Sequence, residues 1–173
     1  MPLRENIKKI DMDQNIIYRK ATPKDFEGLC QLRKQLATDP EDRRATEYAP
    51  YSEQNDRVWI KKCLKARRKF ILIAEEKGMI LAHAIILIEK ISPKFQDYFT
   101  YHQKARLVHL YVDPRRRHQG IGENLMKYTL KYLQQHGSEF VDLECYFGNE
   151  KAEALYQKLG FKNIFAVKRY ILR

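Results

Sequence analysis

Apolar residues recur along this chain with two alternating periods, and the alternation predicts its elements. Ile16-Ile17-Tyr18-Arg19 reads as a first strand. Thr22-Pro23 then starts a helix carrying Phe26, Leu29, Cys30 and Leu36 at helical spacing, ending near Asp39-Pro40. A second helix is expected from Asn55 to about Arg67, with Val58, Trp59, Cys63 and Leu64 apolar. Phe70 to Glu75 and Met79 to Ile88 are apolar runs joined by Glu76-Lys77-Gly78, a hairpin signal. Ile91 to Lys104 reads as a loop rich in aromatics (Phe95, Tyr98, Phe99, Tyr101), before a strand at Leu107 to Val112 that Pro114 stops. From Gly120 the period is helical again: Ile121, Leu125, Tyr128 and Tyr132 share a face, Met126, Leu130 and Leu133 form a second stripe, and Gly137 ends it. A strand at Phe140 to Tyr146, a helix at about Glu150 to Leu159 and a last strand from Phe161 to about Leu172 complete the order. Residues 1–14 are polar and read as an N-terminal arm, and residues 15–173 as one α/β domain with a mixed sheet.

Composition narrows the class. With 173 residues, 44% apolar and 32% charged, the chain has the make-up of a soluble globular domain long enough for a real core. No apolar run approaches the roughly 20 residues of a membrane span, and the N-terminal residues carry no signal-peptide core, so a cytoplasmic protein without a membrane partner is expected. Cys30, Cys63 and Cys145 are odd in number and far apart, which argues against disulfides and against a zinc site. The net charge of +11, with clusters at Arg67-Arg68-Lys69 and Arg115 to Arg117, raises nucleic-acid binding as an option. Against it, the other lysines are scattered among acids, and no helix-turn-helix, zinc-finger or aromatic–basic RNA signature accompanies them.

One stretch carries chemistry. The strand running into L-Y-V-D-P is followed by R-R-R-H-Q-G-I-G and at once by a helix. The first amides of a helix lack intrahelical partners and sit at the positive end of its dipole, so this junction is an anion site. Gly120 and Gly122 let a phosphate approach the backbone, and Arg115, Arg116 and Arg117 add charge. No Lys-Ser or Lys-Thr follows the glycines, which excludes a Walker loop, and Leu125 stands where a dinucleotide fingerprint needs its third glycine. The string that fits is R-x-x-G-x-G, here Arg117-His118-Gln119-Gly120-Ile121-Gly122. It resembles the coenzyme A loop of the GNAT superfamily of acetyl-CoA-dependent N-acetyltransferases. A second motif, Asn149, Ala152, Leu155-Tyr156 and Leu159-Gly160-Phe161, has the N-x-x-A-x-x-L-Y-x-x-L-G-F spacing of the same superfamily, and the order of elements is similar along nearly the whole chain.

The resemblance implies a single-domain fold with a mixed, mostly antiparallel sheet of six to seven strands and about four helices. It implies acetyl-CoA as co-substrate, no metal, and direct attack of an amine on the thioester. The pantetheine arm would lie where the strands at Leu107 to Val112 and Phe140 to Cys145 part, paired with backbone groups of Leu110, Tyr111 and Val112. The amides of Arg117 to Gly122 would hold the pyrophosphate, and Asn149 would bond pantetheine or cap the following helix. Tyr156 stands where the family often places the acid for the departing thiolate, although it also fits a core stripe with Ala152, Leu155 and Leu159. His109 shares a face with Tyr111, opposite Val108, Leu110 and Val112, and is a candidate base or a cleft-lining residue; Glu144 is a weaker candidate. The acceptor amine is open. Asp39 to Asp56 holds six acids against two arginines, with Tyr48 and Tyr51, which reads first as a solvated loop balancing the basic surface and otherwise suits a cationic amine such as a polyamine or aminoglycoside; a protein amine is also open. Dimers are common in the family. The rival to an enzyme is an inactive coenzyme A-binding module with the same fold.

Overall fold

The computed structural model describes residues 15–39 and 51–166. Five strands and four helices follow one another as β1 (Ile17–Lys20), α1 (Phe26–Ala37), α2 (Glu53–Lys65), β2 (Lys69–Glu76), β3 (Met79–Lys90), β4 (Gln103–Val112), α3 (Ile121–Gln135), β5 (Phe140–Leu143) and α4 (Glu150–Lys158). The sheet order is the chain order, antiparallel from β1 to β4, with β5 parallel to β4. β2 and β3 lie between two helical layers, which is why they are near-continuous apolar runs rather than alternating ones. On one face Leu72, Ala74, Ala82, Ala84, Ile86 and Leu107 meet Ile121, Leu125, Met126 and Leu133 of α3. On the other, Ile71, Ile73 and Ile85 meet Leu29 and Cys30 of α1 and Ile60 and Cys63 of α2.

Several boundaries differ from the sequence expectation, each for a local reason. α2 starts at Glu53, two residues early, because the Ser52 hydroxyl accepts the Asn55 amide at 3.3 Å and caps it; it ends at Lys65. β4 begins at Gln103, inside the expected loop, because Lys104 and Arg106 are charged rungs: Lys104 Nζ lies 2.8 Å from Asp142, and Arg106 lies 2.7 Å from Glu89. Ala105 and Leu107 between them are buried. The expected loop also contains a 3-10 turn at Pro93–Tyr98. β5 stops at Leu143 instead of Tyr146. Residues 161–166 take no strand form, so the sheet has five strands among the described residues rather than six to seven. The rest of the expected last strand, the N-terminal arm and residues 40–50 lie outside the described residues.

β4 carries the feature that shapes the site. Ile85 faces His109 and Ile86 faces Leu107, so Val108 is an extra residue, a β-bulge. Leu107 and Leu110, three residues apart, therefore share the α3 face, while His109 and Tyr111 turn to the α1–α2 face. His109 and Tyr111 are on one face opposite Leu110 and Val112, as alternation predicts, but Val108 belongs to neither row and is 40% exposed.

Candidate active site

β4 and β5 are paired only from Lys104–Phe140 to Leu107–Leu143. β5 ends at Leu143, opposite Leu107, so Leu110, Tyr111 and Val112 have β3 on one edge and no strand on the other among the described residues. Just past Val112 the chain turns through a short 3-10 segment, Pro114–Arg116, into α3. His118 and Gly120 both have positive φ, 63° and 75°, and Gly120 caps the helix in the left-handed conformation. The residues Arg117, His118, Gln119, Gly120, Ile121 and Gly122 thus form the end of the loop and the first turn of the helix, whose amides have no intrahelical acceptor.

The two glycines serve different purposes. A Cβ on Gly120 would meet nothing closer than 3.9 Å, so its requirement is conformational. A Cβ on Gly122 would lie 3.2 Å from Val112 Cγ2, so this glycine lets the start of α3 sit tightly on the end of β4. Sequence reasoning assigned both to phosphate approach; for Gly122 the close neighbour is protein.

The arginines are also placed differently from expectation. Each engages a carboxylate: Arg115 bonds Asp113 at 2.6 Å, Arg116 bonds Glu76 at 2.7 Å, and Arg117 pairs with Asp39 at the end of α1. These contacts hold the Asp113 and Glu76 carboxyls below their usual range. Arg117 donates from Nε to the Val112 carbonyl at 3.3 Å, and its guanidinium lies 5.4 Å from the centre of the Tyr111 ring. Burial, with Asp39 next to it, pushes the Tyr111 hydroxyl upward. A cavity of about 590 Å³ opens between Gln35 of α1, Thr38 and Asp39 just past its end, and Asp113, Arg115, Arg117 and His118 of the loop. Arg117 therefore organises the loop from within and ties it to α1; Asp39, 78 residues away, is a partner that no sequence spacing announces.

On α4, Asn149 accepts the Ala152 amide at 3.3 Å and is the N-cap. Tyr156 packs against the α3-side core, 5.7 Å edge-on from Phe161, and burial, with a smaller contribution from Cys145, pushes its hydroxyl up to about 12. His109 lies on the opposite face of the sheet, so the two candidate catalytic groups do not share one surface. Glu144 is exposed, just beyond the end of β5. Sequence reasoning missed His83 on β3, which is fully buried, with its Nε2 3.2 Å from His109 Nδ1. Its signal was a single imidazole in the otherwise apolar run M-I-L-A-H-A-I-I-L-I.

Among the described residues, no group of three or more His, Cys, Asp or Glu side chains is placed to hold a metal, and no helix is long and apolar enough to cross a membrane. Comparison with known proteins gives a consistent assignment. An N-alpha-acetyltransferase from Sulfurisphaera tokodaii is 29% identical over 108 residues, which is 62% of this chain and 65% of that relative's length. The BH1408 protein of Bacillus halodurans superposes with a TM-score of 0.73 at 22% identity, covering 91% of this chain and 99% of that one. An aminoglycoside N-acetyltransferase, AAC(6')-Iy, in complex with CoA superposes at 0.72 with 18% identity over 91% and 95% of the two chains. The model of the acetyltransferase (GNAT) family matches residues 32–161, the span that contains the loop, the second half of β4 and both sequence motifs. The chain belongs to the acetyltransferase (GNAT) family.

Proposed function

We propose that this protein transfers an acetyl group from acetyl-CoA to a primary amine by direct attack. The observation that carries the reading is the end of β5 at Leu143, which leaves β4 from Val108 to Val112 without a described strand on that edge, with a left-handed glycine cap and a helix N-terminus beside it. The backbone of Leu110, Tyr111 and Val112 would pair with the pantetheine amides as an added strand does, and the amides from His118 to Gly122 would hold the pyrophosphate. Bound acetyl-CoA supplies an activated acyl thioester. His109, on the α1–α2 side, would take the proton of the amine, and Tyr156, on the α3 side, would donate to the sulfur.

Magnitudes refine the part of Tyr156. With its hydroxyl up to about 12 it stays protonated through the neutral range. Complete transfer of that proton to a thiolate whose thiol has a pKa of roughly 8.5 is uphill by about 5 kcal/mol. Tyr156 therefore acts as a hydrogen-bond donor to the sulfur as charge develops there, and full protonation of the leaving group follows from solvent or from the amine's proton.

The acceptor is an amine whose class the acidic segment at Asp39 to Asp56 helps to choose. Its described acids are each engaged: Asp39 by Arg117, Glu53 by Lys34 at 3.0 Å, and Asp56 by Arg33 at 2.7 Å. Glu41, Asp42, Glu47 and Tyr48 lie outside the described residues. Three of the six acids thus carry structural pairs, and a small polycation and a protein amine remain equal candidates.

The test is thermal unfolding with increasing acetyl-CoA, with ATP and NAD as controls, followed by turnover on spermidine, an aminoglycoside and a peptide amine. Donor at ~100 times its dissociation constant should add about 2.7 kcal/mol of stability. A shift specific to acetyl-CoA with turnover on one amine class supports the reading. Stabilisation without turnover on any amine would favour the inactive coenzyme A-binding module, and no shift at millimolar donor would remove both.

A further inference from the structure

His83 and His109 form a contact that the reaction as proposed does not yet use. His83 faces Tyr111 directly across β3 and β4, and His109 faces Ile85, so the two imidazoles are diagonal neighbours on one face of the sheet. Their rings lie nearly parallel, 18° apart with centroids 5.3 Å apart, and His83 Nε2 is 3.2 Å from His109 Nδ1. His83 has no solvent exposure. Around the pair, Ile73 and Ile85 flank His83 and His109 as cross-strand partners on the sheet, and the Tyr111 ring lies 6.1 Å from His83. From α1, Leu32 and Leu36 pack on Tyr111, with Asp39 and Arg117 behind it, and the Arg33–Asp56 pair bridges α1 to α2 in the same layer.

We infer that His83 is a positioning residue that accepts the Nδ1–H of His109 and so fixes the His109 tautomer with its lone pair on Nε2. This rests on the reading of His109 as the base. One hydrogen bond between the rings can run in either direction, and the two directions are not equivalent for proton transfer. If His83 donates, His109 carries its proton on Nε2 and cannot accept another there. If His83 accepts, Nε2 on the far side of the ring is a base. When the amine's N–H breaks and the Nε2–H of His109 forms, the imidazolium necessarily holds a proton on Nδ1 as well, and an accepting His83 stabilises it where a donating one does not. That bond is then charge-assisted and stronger than its neutral form. The proton does not move on to His83: an imidazolium at a site without solvent exposure is strongly disfavoured, whereas His109 is partly exposed. The arrangement has the logic of an orienting partner behind a general base, with a neutral ring in place of a carboxylate.

The decisive measurement is long-range ¹⁵N NMR of the histidine rings in the full chain, which needs no turnover. In the wild-type protein above the acid limb of its pH profile, His109 should show a protonated Nδ1 and a bare Nε2. In His83→Leu, a replacement that preserves burial, the bare-Nε2 form should give way to the Nε2–H form. In parallel, His83→Leu should lower kcat by about 10- to 100-fold with KM for acetyl-CoA unchanged, and move the acid limb of kcat/KM down by about one pH unit as the imidazolium loses its acceptor. His83→Gln, whose amide oxygen can accept the same proton, should restore most of both. A wild-type His109 protonated on Nε2, or a tautomer and acid limb identical in wild type and His83→Leu, would overturn the inference. The expected tautomer in a protein that acetylates no amine would uphold the inference about the pair and remove the catalytic reading instead.

Discussion

From Gln103 to Leu107, β4 has a neighbour on each edge and charged rungs that bind it to both; from Val108 to Val112, among the described residues, only β3 holds it. The first half is closed by protein: Lys104 sits between Glu89 and Asp142 at 3.6 and 2.8 Å, and Ala105 and Leu107 are in the core. The second half has the same backbone but an edge that no described strand pairs with, the kind of surface that proteins normally cover or blunt. Here it is flanked by a glycine-capped helix, a buried tyrosine and a pair of histidines. A strand held on both edges for five residues has a single described neighbour in the next five because its parallel neighbour ends at Leu143, and that second half is where the proposed reading puts the ligand.

This contrast can be broken in stages. Tyr156→Phe should lower kcat by ~100-fold while KM for acetyl-CoA stays within about twofold, since only the developing charge loses its donor. Because burial carries the Tyr156 hydroxyl up to about 12, the wild-type rate should show no alkaline limb from this group below pH 10. Stability should respond in the same window: an unfolded tyrosine ionises near ~10 and the folded one only near about 12, so the protonated native form loses its advantage as pH rises between them. The Phe variant should lack that alkaline loss in urea titrations.

Gly122→Val acts on the junction of the two halves. Its branched side chain would force α3 away from Val112, with about 1–3 kcal/mol of destabilisation and a several-fold rise in KM for acetyl-CoA, readable by calorimetry and initial rates. The smallest effect is expected from Lys104→Met in the closed half. It removes a partly exposed ion pair worth about 1 kcal/mol or less, and kcat should not change. A Lys104→Met enzyme with strongly reduced kcat would show that the two halves are not separable in the way the register implies.

How much of this was legible differs along the same strand. The turn into α3 and the helix itself were readable because glycines, a preceding strand and a 3.6-residue stripe are local signals. The start of β4 was not, because Lys104 and Arg106 look like loop residues until Glu89 and Asp142 are beside them. The bulge at Val108 was invisible: L-V-H-L-Y-V offers no polar residue or glycine to mark an extra position, and only the pairing with Ile85 and Ile86 reveals it. That His109 shares a face with Tyr111 could be read from alternation; that Leu107 does not could not. The part assigned to Arg117 was half legible, since the motif marks the residue but its Asp39 partner comes from tertiary structure. Tyr156 and Asn149 were found by motif, and the structure adds burial to one and a capping bond to the other.

The three arginines at the start of the loop bear on how the donor arrives. In a chain of net charge +11, a polyanion would ordinarily be drawn in by a long-range field that added salt erases. Each of these three cations is matched by a carboxylate within the protein, so the loop is close to electroneutral where the pyrophosphate would rest. What remains is a fixed set of oriented amide dipoles at contact distance, whose pull dies away within a few ångströms and which mobile ions scarcely weaken. Ionic strength would then set how often the donor encounters the protein, and hardly at all how long it stays.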